Sequence, residues 1–340
     1  MPNRPLPYPM LANTIASFVE TVAERIGVNQ YEVNAVLAIL LISLITGMVG
    51  SLVVGNRMAF FSDAMAHSAF SGVALGMLFY VLLGQTKQAD SVSEWVVILV
   101  MVAFGVAVGL GIEFVRERTG LSNDTVIGVF FAVVTGFAAL LIPALTKHVR
   151  FFDPEQFLFG SLMFTSTEQL SVLLLLCILT AAIVTLGYNT FAFASFSPLL
   201  ARSRGKWIRV GNYAFIILLA VVVNVSIKAV GSMLINALLI VPAAGAANVA
   251  RNLRQMFWYS IFASVGAGLI GYFVSRTYNL SLGRVVLELH PSGAVVLTAV
   301  AWFFLTMPAV AIRKRLTRAG HNHIPGNDAL ACCPAPGPAE

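Results

Sequence analysis

Long apolar runs, interrupted by short basic or small polar stretches, set the pattern of this chain. Residues 10–27 are amphipathic: Leu11, Ile15, Phe18, Val19, Val22 and Ile26 share one helical face, and Glu20, Glu24 and Arg25 lie elsewhere. This predicts a helix lying on a membrane surface. Apolar segments then cover about 33–55, 64–84, 94–115, 125–145, 168–189, 208–228, 230–250, 257–275 and 292–312, each near the roughly 20 residues that cross a bilayer. The sixth and seventh form one nearly continuous stretch, too long for a single span, which divides around Lys228 and Gly231. The predicted fold is all-α, a polytopic transmembrane helical bundle of about nine spans, with eight as the alternative count.

Composition moves this reading from helical to membrane-embedded. Apolar residues make up 58% of the 340 and charged residues 11%, whereas soluble domains carry about 25% charge. Such a chain cannot cover a water-facing surface. Its 27 glycines and 14 prolines suit membrane helices, where neighbours re-satisfy freed backbone groups. The net charge of +6 does not indicate nucleic acid, because the basic residues cluster at the ends of apolar runs. Arg116 and Arg118, then Arg202, Arg204, Lys206 and Arg209, then Arg251 and Arg254, then Arg313, Lys314, Arg315 and Arg318 follow alternate spans. The positive-inside rule puts them in the cytoplasm and the N-terminus outside.

Three regions result: an N-terminal extension over 1–32, a transmembrane domain over 33–312, and a Gly/Pro/Ala-rich cytoplasmic tail over 313–340 that is expected to be disordered. No apolar core of a cleavable signal follows the basic start. Three cysteines, Cys177, Cys332 and Cys333, give no disulfide framework.

Candidate chemistry is sparse. Asp63 and His67 stand four residues apart at the start of a span and share a helical face. Carboxylate with imidazole suits zinc, manganese or iron; the plainer reading is an interfacial ion pair near Arg57. In AVGSMLINALLIVPAAGAANVARN, Pro242 interrupts an apolar run, Gly231 and Gly245 flank it, and Asn236 lies on the same segment. This reads either as a broken helix lining a path or as a simple proline kink. SFSPLLARSRGKWIR lies in the most basic loop, framed by Pro198 and Gly205, and reads as a partner-docking helix or a plain positive-inside loop. Glu113, before Arg116 and Glu117, is expected at the interface. His148 with Asp153 and Glu155 reads as an external loop that meets a partner or as solvated loop charge, and His321 and His323 with the cysteine pair fit no structural zinc pattern. The chain has no phosphate-binding loop, HExxH or GxSxG, so any ATP chemistry belongs to another subunit. A self-powered secondary transporter is the alternative, and an intramembrane metalloprotease would need a denser ligand set.

Taken together, NRMAFFSDAMAHSAFSGVALG, FDPEQFLFGSLMFTSTEQL and VGSMLINALLIVPAAGAANVAR make the chain resemble the metal-ion ABC permease family, the zinc/manganese/iron-chelate uptake type, over about residues 33–312. The resemblance implies a vitamin-B12-permease-like arrangement and a homodimer in the cytoplasmic membrane. It implies cytoplasmic ATP-binding subunits and an extracytoplasmic solute-binding protein as partners, with no nucleic acid. No cofactor is implied; zinc or manganese is the transported substrate, zinc being favoured. Asp63 and His67 become transient pore contacts, with Asn236 a possible third. Residues 195–206 become the coupling loop to the ATPase, keeping Ala201 and Gly205 but carrying Ser197-Pro198 where the family has an acidic residue near the proline. The extension and the tail lie outside the pattern.

Overall fold

The computed structural model describes residues 9–82, 91–145, 160, 165–196, 206–277, 280–282, 285–287 and 290–321. Ten helices follow one another among these residues: α1 (Pro9–Ile26), α2 (Gln30–Gly55), α3 (Phe61–Leu82), α4 (Ser91–Thr119), α5 (Asn123–Leu145), α6 (Thr167–Phe196), α7 (Lys206–Val230), α8 (Ser232–Val249), α9 (Leu253–Thr277) and α10 (Pro291–His321). A small antiparallel hairpin, β1 (Leu280–Leu282) with β2 (Val285–Leu287), precedes α10. Among the described residues, eight helices are long and apolar enough to cross a membrane, namely α2 and α4 to α10. The 22-residue α3 has the length, and its Ser, Asp and His positions lower its apolarity.

The helices sort by how much of their apolar surface the bundle covers. In the most apolar stretch, 72% of α2 and 67% of α7 is buried, against 22% of α5 and 28% of α10, so the first pair forms the interior and the second the rim. α2 is apolar all round, as a central helix must be. It packs against α6, α8 and α9.

Small residues set those distances. A Cβ added to Gly47 would lie 2.7 Å from Ile261 Cα, and one on Gly50 would overlap the Leu239 carbonyl oxygen. With backbones this close, short polar bridges cross the interface: Ser260 Oγ donates to the Gly47 carbonyl at 2.9 Å, and Thr46 Oγ1 lies 3.1 Å from Ser264 Oγ. Lipid supplies no hydrophobic drive between helices, so contact of this kind holds the bundle together.

Several expectations change in detail. The long apolar stretch does divide between Lys228 and Gly231, at Gly231, whose φ of 87° favours a residue without Cβ. Pro242 does not break a helix: α8 runs through it, and the interruption is at Gly231 instead. Membrane helices tolerate an internal proline, because the surrounding protein can re-satisfy the freed backbone carbonyl. The apolar stripe of α1 is not all turned to a membrane surface. Val19 and Ala23 are buried and α1 packs on α2 and α6, while Phe18 stays exposed. The last helix continues through Arg313–Arg318 to His321, past the boundary expected for the tail, because nothing in that stretch stops a helix before Gly320. Residues 322–340 lie outside the described residues, as do His148, Asp153 and Glu155.

Gly50→Val should lower the thermal midpoint of the detergent-purified protein, at an overpacking cost of about 1–3 kcal/mol. Intrinsic-fluorescence melting reads this, and an unchanged midpoint would contradict so close an approach of α2 to α8.

Candidate metal contact site

The start of α3 is set by the turn before it. Asn56 ends α2, its backbone N–H donating to the Leu52 carbonyl at 2.9 Å, and Arg57 takes the left-handed conformation at φ 55°. This is the usual way to stop a helix, though here without glycine. Met58 and Phe61 then bury almost completely and seat the first turn of α3 in the core. Asp63 falls in that first turn, where the positive end of the helix dipole favours a carboxylate.

Helix register gives the depth. Gly76 lies against Val97 and Gly72 against Met101. Carried along antiparallel α3 and α4, the same offset puts His67 level with Val106 and Asp63 level with Leu110. The candidate span of α4 covers Val96–Thr119, with no charged residue before Glu113. His67 is therefore level with the middle of α4, and Asp63 lies one turn nearer the charged, basic end.

The three residues singled out as metal contacts come together. Asn236, from α8, donates through Nδ2 to Asp63 Oδ1 at 3.1 Å. His67 Nδ1 lies 3.0 Å from the Asp63 backbone carbonyl and 3.8 Å from Asp63 Oδ1. A carbonyl oxygen can only accept, so this contact is a hydrogen bond in the tautomer that carries the proton on Nδ1, which leaves the Nε2 lone pair for a cation. Phe131 of α5 meets the imidazole edge-on, with ring centroids 4.7 Å apart. The imidazole is thus oriented from two sides. The Asn236 Oδ1 atom is buried and without a hydrogen-bond partner, so the amide serves Asp63 through its nitrogen.

The side chains of His67 and Asp63 remain 37% and 45% exposed within the chain. No third His, Cys, Asp or Glu joins them among the described residues. The site is a half-open pair on one helix face, able to offer a cation one imidazole nitrogen and one carboxylate. Ser197, Pro198, Ala201 and Gly205 lie outside the described residues.

The sequence profile of the ABC 3 transport family matches residues 29–308. The chain belongs to that family. It is similar to the manganese transport system membrane protein MntC of Listeria innocua, at 28% identity over 277 residues, covering 80% of this chain and 88% of the relative. It is also similar to the high-affinity zinc uptake system membrane protein ZnuB of Haemophilus influenzae, at 28% identity over 252 residues, covering 74% and 90%. Among solved structures, PsaBC from Streptococcus pneumoniae in complex with Fab shares the fold at TM-score 0.64 and 22% identity, over 86% of this chain and 95% of that one. The family match begins after α1, which is therefore an addition to the ABC 3 region.

A second polar group lies at the basic end of this ABC 3 bundle. Glu113, expected at the interface, has a side chain only 2% exposed within the bundle, and it pairs with Arg116, itself 24% exposed. The i,i+3 spacing of the two was the visible signal. Arg116 Nη1 donates to Asn123 Oδ1 at 3.2 Å, and Asn123 Nδ2 donates to the Asn56 carbonyl at 2.9 Å. One helix turn on, Glu117 pairs with Arg209 of α7 and accepts from Tyr213 Oη at 3.1 Å. The Arg209–Glu117 pair is 65% and 36% exposed.

Burial makes the two pairs energetically different. Arg116→Met leaves a buried carboxylate uncompensated and should cost about 3 kcal/mol of stability. Arg209→Met, at an exposed pair, should cost under about 1 kcal/mol. Thermal unfolding of the two variants side by side checks the ordering; equal losses would refute it.

Proposed function

We propose that this chain is the membrane-spanning subunit of an importer for a divalent transition metal, manganese or zinc, powered by a separate ATP-hydrolysing subunit. The observation that carries this reading is the half-open Asp63–His67 pair on α3. A carboxylate left facing lipid inside a span costs up to about 3 kcal/mol. The chain's own helices leave both side chains uncovered, so a water-filled path or a second copy of the chain must cover them. A homodimer with the two α3 faces turned inward supplies both. Family membership and the names of the relatives support the transport class and both metals.

In this reading an extracytoplasmic solute-binding protein releases the ion at the outer mouth. The ion meets His67 Nε2 and the Asp63 carboxylate. Asn236 holds that carboxylate in place and is a positioning residue more than a ligand. Two protein donors from one chain bind weakly enough to let the ion leave, as conduction requires. ATP binding and hydrolysis in the partner then rock the bundle, and the segment with Ser197, Pro198, Ala201 and Gly205 receives the motion. Imidazole with carboxylate suits manganese and zinc alike, so the sequence-based preference for zinc gains no support from the site.

Asp63→Ala/His67→Ala should abolish accumulation of radioactive manganese or zinc by cells while leaving assembly with the ATPase subunit intact. Normal uptake by that variant would reject the site. Asn236→Ala should weaken metal binding to the purified protein by about tenfold, since a hydrogen bond to a charged acceptor is lost. Competition against a chromophoric chelator measures it, and an unchanged affinity would remove Asn236 from the site.

A further inference from the structure

The polar group at the basic end joins two places that the importer reading needs to connect. Arg209 follows the 197–205 segment by one helical turn and is the first residue of α7 whose side chain is described. It pairs with Glu117 of α4, and Tyr213, a turn further along α7, donates to the same carboxylate. On α4, Glu113 and Arg116 form the buried pair, and Arg116 reaches Asn123 at the start of α5. Asn123 then donates to the carbonyl of Asn56, the residue that ends α2. The next residues, Arg57 in its left-handed conformation and the buried Met58 and Phe61, lead directly into the turn of α3 that carries Asp63. Side-chain contacts and the intervening backbone of α4 and of the α2–α3 turn therefore connect α7 to the base of α3.

We propose that Arg209, Glu117 and Tyr213 form a movable joint, and that Glu113, Arg116 and Asn123 form a rigid block carrying the α2–α3 turn, so that displacement of the segment before α7 is delivered to Asp63 and His67. These are positioning residues; none meets the metal. The division follows from solvent exposure. The Arg209–Glu117 pair is wet, so it breaks and re-forms at little cost. The Glu113–Arg116 pair is dry on the carboxylate side, so separating it leaves a charge in an apolar setting, and the block moves as one. Coupling requires a two-state element that both sites bias, and in this proposal α4 with the α2–α3 turn is that element. The inference rests on residues 197–205 being the contact with the ATPase.

The test uses the whole transporter, with permease, ATPase subunit and binding protein reconstituted in proteoliposomes, and reads ATP hydrolysed per manganese or zinc ion imported. Glu117→Arg alone and Arg209→Glu alone should each raise that ratio by about tenfold, within the usual range of coupling energies. The affinity of the purified permease for the ion should not change, which a merely structural defect or damage to the metal site would not reproduce. The double variant Glu117→Arg/Arg209→Glu should return the ratio to near that of the parent. Tyr213→Phe, which removes one hydroxyl, should raise it by a smaller factor and covers the case in which a charge reversal prevents assembly. An unchanged ratio in the single variants, or a double variant that assembles without recovery, overturns the joint while leaving the importer reading intact. A parent complex that imports no metal on ATP overturns both.

Discussion

Lipid offers no hydrogen bonds and no counter-charge, and the position of Asp63 and His67 makes sense only against that constraint. An imidazole stands level with the middle of α4 and a carboxylate one turn nearer its basic end, both partly uncovered by their own chain. Around them, the surrounding elements restrain the pair: Asn236 donates to the acid, the helix's own carbonyl meets the imidazole Nδ1, and Phe131 closes one side. The face left open is the one a transported ion would use. Some of the remaining polar groups in the interior instead join helices, as Ser260 and Thr46 do between α2 and α9.

Two kinds of contact therefore divide the bundle. Between α2, α8 and α9 the backbones nearly touch, with small residues and short hydroxyl bridges at the contacts. Between α4, α5 and α7 at the basic end, charged and amide side chains make the connection. The first kind is stiff because close packing has few alternative arrangements. The second includes one buried pair and one exposed pair, and so offers a rigid part and a compliant part within a single turn of α4. A transporter must hold its ion site while moving the helix that carries it, and under the proposed function this division would supply both properties.

Much of the fold was legible from local pattern. Apolar runs near bilayer length, ended by basic residues, identify membrane helices because lipid leaves the backbone no choice but to bond within each helix. Where the pattern erred, a non-local contact was responsible. Pro242 reads as a break, yet α8 absorbs it among its neighbours. The stripe of α1 reads as a lipid face, yet Val19 and Ala23 turn onto α2 and α6. Glu113 reads as an interfacial acid, and only the folded bundle shows its side chain closed over and paired with Arg116.

By itself the sequence determined the class of molecule, the apolar spans, and the placing of Asp63 and His67 on one helical face, because all of these follow from spacing along a single segment. Only the tertiary structure decided how deep that face lies, that Asn236 serves the carboxylate, and that Asn123 grips the turn beneath it. Those facts depend on the offset between helices far apart in the chain. That offset is set where glycines let backbones meet and where side chains find partners, and neither condition is written in the periodicity of one helix.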